Sequence, residues 1–227
     1  MTNTTGYFGK LPDRADFVIG RCPDGFSRVW EPFLMRGLSQ SREDLGSNWE
    51  EAYMTMPVWR FLMRPGTDEA GIAQTICGAF MPSVDKVGRK FPLTIASSAS
   101  GLNETGMPEE AWYDETEAIL LSALDEEADL EGFQTAVSAL GEPLIEQDTA
   151  LPADGLVLEP GEGTAGKIDT AFWCRAGQGA YVFRCGGLPE QGSFQWLILP
   201  EAFEAADLSS EAAGQEHGRY HPEDHRT

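Results

Sequence analysis

The period of the hydrophobic pattern changes repeatedly along this 227-residue chain, and that succession limits the fold more than any single motif does. Phe26, Trp30, Phe33, Leu34 and Leu38 recur at helical spacing and predict a helix over about 24–38, with Asp24 as its N-cap. Ser41-Arg42-Glu43-Asp44 has the Ser-x-x-Asp form of a helix start and predicts a second, short helical segment. The pattern then turns to β. Tyr53 to Arg64 reads as a strand, and Pro57 within it lacks a ladder donor, which predicts an edge position or a bulge. Gly71–Met81 and Phe91–Ser98 read as two further strands, joined by a polar connection at 82–90. The N-terminal Gly6 to Pro12 reads as a short strand followed by a loop.

Helical period returns over about 108–127, where Trp112, Ile119, Leu120 and Ala123 form an inner face. It continues over 130–140, with Asp129 as N-cap and Gly141 just past the end. Residues 142–167 read mostly as loop, with a short strand at Leu156–Leu158. Ile168–Cys174 and Gly179–Cys185 then flank Arg175-Ala176-Gly177-Gln178 as a hairpin, and a short helix follows near Ser193–Leu199. Elements of this length cannot bury their apolar sides alone. The succession therefore predicts an α/β fold with a largely antiparallel sheet packed by helices. A single domain is expected over residues 1–200, with residues 201–227 expected to form an acidic, mobile tail. Eleven side chains are expected to be buried in its core: Trp30, Phe33, Phe61, Ile76, Phe91, Ile95, Trp112, Phe133, Val137, Phe172 and Phe183.

The charge is unevenly placed. The net charge is −21, yet residues 1–100 hold eleven acids and eleven bases, so the excess lies wholly in residues 101–227. Such a chain repels nucleic acid and anionic lipid. No run of 18 apolar residues would span a membrane, and the first residues lack the basic and apolar regions of a secretory signal. The cytoplasm is the expected compartment. Cys22, Cys77, Cys174 and Cys185 form no CxxC pair and read as thiols, although Cys174 and Cys185 could face each other across the hairpin.

Catalytic motifs are sparse. Gly161-Glu162-Gly163-Thr164-Ala165-Gly166-Lys167 fits both GxGxxG and the core of a phosphate loop, but Ile168 stands where the magnesium-binding hydroxyl belongs, and a strand rather than a helix is expected next. The three histidines, His217, His221 and His225, all lie in the tail, where Pro222 interrupts a helix that would align them. A Ser-His-Asp or Cys-His mechanism therefore has no general base in the folded body. Two charged clusters remain, each among turn-forming residues. One is Lys10, Arg14 and Asp16; the other is Asp85, Lys86, Arg89 and Lys90. Charged side chains are costly to bury unpaired, so these clusters are expected to lie together, either holding the two loops in place or facing a partner.

The same segments carry a family resemblance. Gly6-Tyr7-Phe8-Gly9-Lys10-Leu11-Pro12, continued by Arg14-Ala15-Asp16-Phe17-Val18, resembles the opening signature of the TagF (ImpM) family. Phe26 to Leu38 is similar to that family's first helix, and Met56-Pro57-Val58-Trp59-Arg60-Phe61 to its next strand. The segment Met81-Pro82-Ser83-Val84-Asp85-Lys86-Val87-Gly88-Arg89-Lys90-Phe91-Pro92-Leu93-Thr94 is the most distinctive match. Beyond residue 100, Phe172-Trp173-Cys174 and Gly186-Gly187-Leu188-Pro189 fall in compatible order. The resemblance implies a profilin- or longin-like sandwich. It implies a type VI secretion accessory protein, without catalytic residues or cofactor, that represses assembly or firing after translation. The implied partner is the forkhead-associated scaffold protein of the system. The two charged clusters supply the residues expected to meet it, Lys10, Arg14, Asp16, Asp85, Lys86 and Arg89. Two other classes stay open: an enzyme or small-ligand protein using the 161–167 loop or an acidic pair, and a structural subunit of the apparatus.

Overall fold

The computed structural model describes residues 5–66, 71–98, 106–146, 156–158, 168–176 and 179–202. In chain order the elements are strands β1 (Thr5–Lys10) and β2 (Phe17–Ile19), helices α1 (Phe26–Leu45) and α2 (Trp49–Met54), and strands β3 (Trp59–Pro65), β4 (Ile76–Met81) and β5 (Leu93–Ser98). Next come β6 (Met107–Pro108), α3 (Glu110–Ser122), α4 (Leu130–Leu140) and β7 (Ile145–Glu146). The last elements are β8 (Leu156–Leu158), β9 (Ile168–Ala176), β10 (Gly179–Gly186) and α5 (Phe194–Ile198).

Eight strands form one open sheet in the order β2-β1-β5-β4-β3-β9-β10-β8. All neighbours are antiparallel except β10 and β8. The short pair β6–β7 stands apart. Strand alternation feeds two cores, one on each face. Trp59, Phe61 and Met63 of β3 join Ile76 and Phe80 of β4 and Phe172 of β9 under Phe26, Trp30, Phe33 and Leu34 of α1. The alternate residues Leu62, Cys77, Ala79 and Ile95 pack on the other face with Trp112, Tyr113 and Leu120 of α3 and Phe133 and Val137 of α4. The expected α/β class is thus realised as a sheet between two helical layers, and all eleven expected core residues are buried.

Trp30 sits at the centre of the first core. Its ring stacks on Phe61 at 4.7 Å and meets Phe80 edge-on at 5.2 Å, while its indole N–H donates to Thr94 Oγ1 at 2.9 Å. That bond satisfies the one polar group the ring brings inside. Small residues let these large ones close. Gly37 of α1 lies against the Phe194 ring, which a Cβ would meet at 2.2 Å.

Several boundaries differ from the sequence pattern. The first helix begins after Gly25, in the left-handed region at φ 83°, and no side chain caps it, so Asp24 is not an N-cap. Ser41 starts no second helix, because α1 runs through it to Leu45. Its hydroxyl donates to the Leu38 carbonyl at 3.1 Å and accepts the Trp49 indole N–H at 2.9 Å. The run from Tyr53 to Arg64 divides. Tyr53 belongs to α2, Pro57 lies in the connection, and β3 begins only at Trp59, in the sheet interior rather than at an edge. Gly71–Thr75 precede β4, and α3 is shorter than 108–127 at both ends. The expected hairpin forms, but its first strand runs on through Arg175 and Ala176, which pair with Ala180 and Gly179; Cys174 lies opposite Tyr181 and Cys185 opposite Thr170, so they do not face each other, and all four cysteines are thiols.

Candidate functional site

Lys10 ends β1 and points into the protein because the strand alternation leaves it no solvent side; it is 5 % exposed. Its ammonium meets Asp85 Oδ2 at 2.5 Å and lies 5.2 Å from the centre of the Phe17 ring. Asp85 is also closed off, with no exposed side-chain surface. Arg89 Nε donates to the same Oδ2 at 2.6 Å, and the backbone N–H groups of Val87 and Arg89 donate to Oδ1 at 3.1 and 2.8 Å. Burial alone pushes the Asp85 carboxyl up. The hydrogen bonds from Lys10, Arg89 and Val87 outweigh it and hold the group well below the usual carboxylate range. A carboxylate held this firmly ionised is a poor proton acceptor, and it acts here as the knot of two loops.

The turn it ties has its own frame. Asp85 N–H donates to the Arg89 carbonyl at 3.0 Å and Gly88 N–H to the Asp85 carbonyl at 2.9 Å, with Gly88 at φ 84°. Three bonds fasten that turn to the N-terminal loop. Lys86 N–H donates to the Arg14 carbonyl at 2.9 Å, the Arg89 guanidinium donates to the Ala15 carbonyl, and Ser83 Oγ donates to the Lys10 carbonyl at 2.8 Å. Tyr53 secures the start of the segment from beneath. Its buried hydroxyl donates to the Ser83 carbonyl at 2.9 Å and accepts Ser83 N–H at 3.0 Å. Gly9 permits the approach of the two segments. At φ 145° it passes the Pro92 carbonyl, which a Cβ would meet at 2.1 Å.

Of the six candidate residues, the structure brings Lys10, Asp85 and Arg89 into one ionic cluster. Arg14 and Lys86 join it through their backbones. The Arg14 side chain turns to Asp13 at 3.3 Å and stays half exposed, and Lys86 is exposed. Asp16 is exposed and makes no bridge to Arg14 or Arg89. Lys90 pairs with Glu50 of α2 at 2.8 Å. The outcome is a rigid turn that presents Arg14, Lys86 and Arg89 around the exposed Val87. Tyr53 and Ser83 are supports that sequence reasoning missed. Tyr53 looked like a strand residue, and Ser83 one more polar residue in a loop.

A second ionic cluster was not foreseen. Arg60 of β3 is nearly buried beneath α3 and meets Glu117 at 2.5 Å, Glu110 at 2.6 Å and Asp114 at 2.7 Å. The three acids occur at helical spacing along α3, which puts them on one side of that helix. The Gly161–Lys167 loop and the histidines at 217, 221 and 225 lie outside the described residues. A strand begins at Ile168, where a phosphate loop would start its helix. No described helix is long and apolar enough to cross a membrane, and the described residues hold no group of three His, Cys, Asp or Glu arranged for a metal.

The chain has solved and sequence relatives. A crystal structure of PA0076 from Pseudomonas aeruginosa PAO1 superposes with a TM-score of 0.68 at 30 % identity, covering 86 % of this chain and 94 % of that one. No curated protein matches the sequence significantly. The TagF N-terminal domain, described as type VI secretion system-associated, matches residues 6–140, the span that holds the Asp85 knot, both helical layers and five strands of the sheet. The chain therefore belongs to the TagF family of type VI secretion system-associated proteins.

Proposed function

We propose that this protein is a non-catalytic regulator that represses type VI secretion after translation by binding a protein component of the system, the forkhead-associated scaffold. The observation that carries this reading is the Asp85 knot. It uses the buried Lys10 ammonium, the partly exposed Arg89 guanidinium and two backbone donors to hold a surface turn still, and leaves Lys86, Val87 and Arg14 outside. A buried charged network is costly to assemble, and a protein keeps one where the geometry it fixes matters. Preorganised loops of this kind lower the ordering cost of docking. Asp85 is a weak base and its lone pairs are occupied, so the cluster favours recognition over proton transfer.

The test is binding of the purified scaffold protein by wild type and by Lys86→Glu, with release of secreted substrates measured in cells. Lys86→Glu is a cleaner probe than Arg89→Glu, because Arg89 also holds Asp85 in place. The expected result is a folded variant with about tenfold weaker binding and released secretion. A folded Lys86→Glu that binds and represses normally would place the docking surface elsewhere. A wild-type protein that does not bind the scaffold would reject the partner.

A further inference from the structure

Among the described residues the sheet ends in β2, a strand paired there on one side only. Gly20 N–H donates to the Tyr7 carbonyl at 2.8 Å, and the register sets Val18 opposite Gly9. Bonded and non-bonded pairs alternate in an antiparallel ladder, so Val18 turns both its backbone groups towards β1. The N–H and C=O of Phe17 and Ile19 therefore point outwards, along the open edge. Their side chains share one face and are 41 % and 64 % exposed. Edge strands are ordinarily protected by shortness, lysines, prolines or bulges; β2 is short at three residues, but no lysine, proline or bulge stands within it.

On the other face of the edge Val18 and Tyr7 are buried, beside a cleft. This cleft of about 420 Å³ runs between β2 and α4, with Tyr7, Val18, Leu130 and Gln134 in its walls and Arg14 and Asp16 at its entry. Gln134 Nε2 donates to Tyr7 Oη at 2.6 Å, which fixes the wall on the α4 side. An added strand has side chains on two faces, and both have a place here. One set would lie beside Phe17 and Ile19, and the alternate set would enter the cleft.

We infer that β2 is a strand-addition site: an extended segment of another protein, apolar at alternate positions, pairs with the outward backbone groups of Phe17 and Ile19 and sets its alternate side chains into the β2–α4 cleft. A second copy of this chain would offer the same Phe17 and Ile19, but two chains of net charge −21 repel one another, so the occupant is a different protein. Arg14 and Asp16, of opposite sign at the entry, favour a segment without strong net charge. The site adjoins the Asp85 turn, and the inference does not depend on the scaffold being the partner.

Ile19→Pro tests it. The lost N–H faces outward, so the substitution leaves the bonds between β1 and β2 in place. The wild-type protein is used to select binders from a random-peptide phage library, and the selected peptides are then measured against Ile19→Pro and against Ile19→Lys, at the more exposed of the two side chains. The expected result is peptides with apolar residues two apart, bound about tenfold or more weakly by either variant, with unchanged circular dichroism and unfolding midpoint. Hydrogen exchange at the Phe17 and Ile19 amides should slow when the wild type holds a selected peptide. Peptides that bind Ile19→Pro as tightly as wild type, or a library that yields none, would overturn the site. A concentration-dependent dimer abolished by Ile19→Pro would also overturn it, by making the edge a self-association surface. Scaffold binding that survives Ile19→Pro but not Lys86→Glu leaves the proposed function standing and detaches it from this edge.

Discussion

Asp85 carries more of the local order than any other charged residue near the N-terminal loop. One carboxylate answers an ammonium, a guanidinium and two amides, and it does so out of contact with water. Its folded acidity fixes the sign of a pH effect. A carboxyl whose pKa is depressed on folding contributes stability that is fully present above the unfolded value near pH 4, and that is lost as pH falls towards the folded value. Asp85→Asn should therefore lower the unfolding midpoint at neutral pH and flatten the loss of stability between about pH 4 and pH 2. Urea titrations at a series of pH values read both effects. If the acid limb of Asp85→Asn is as steep as that of wild type, other carboxyls carry it. Lys10 would be stranded by the same substitution, so Asp85→Asn should cost more than Asp16→Asn, whose carboxylate makes no bridge to Arg14 or Arg89.

At the scale of elements, the two helical layers are held to the sheet by different means. The layer of α1 rests on aromatic packing, with Phe26, Trp30 and Phe33 over Phe61 and Phe172. The layer of α3 adds an ionic clamp, because Arg60 reaches up from β3 to Glu110, Asp114 and Glu117 and lies 5.4 Å from the Tyr113 ring. Glu117 is the least exposed of the three acids, at 28 %, against 68 % for Glu110. Reversing the charge at Glu117 should cost about 1–2 kcal/mol of stability, and at Glu110 about 0.5 kcal/mol or less, by urea unfolding. Equal costs would mean that the clamp is a solvated surface array. This is also where the sequence is legible and where it is not. Helical period located α3 and α4, and Asp129 caps α4 as its position suggested, accepting Gly132 N–H at 2.8 Å. Local pattern could not reveal that Arg60 meets acids fifty residues on, because only the sheet brings them together. Nor could it show that Ser41 sits inside a helix, since the partner that stabilises it there is Trp49 on the next element. The Asp85 cluster was partly legible: charges among turn residues had to find one another, and Lys10, Asp85 and Arg89 did. The open edge at β2 was not, because three residues leave too little period to read.

The whole molecule has two unlike sides. Between Gly106 and Glu146, the span of α3 and α4, there are twelve acids and no Lys or Arg, whereas α1 alone carries Arg28, Arg36 and Arg42 among its acids. One helical layer is thus strongly anionic, countered from beneath by Arg60, while the Asp85 turn presents cations at the end of β1. Salt separates these regions physically. Raising ionic strength from about 0.01 M to 0.15 M shortens the screening length from about 30 Å to about 8 Å, enough to damp repulsion across the α3–α4 layer but not the buried Lys10–Asp85 contact. The unfolding temperature should therefore rise over that range, as screening relieves a net charge of −21. Partner binding supplies the sharper comparison. Docking through the short, mixed-charge surface around Lys86 and β2 should change affinity by less than about tenfold over the same range. Docking through the anionic α3–α4 layer onto a basic partner should weaken it far more steeply. Isothermal titration of the scaffold at three salt concentrations distinguishes the two, and a steep loss of affinity would move the docking surface from the Asp85 turn to the acidic layer on the opposite side of the sheet from α1.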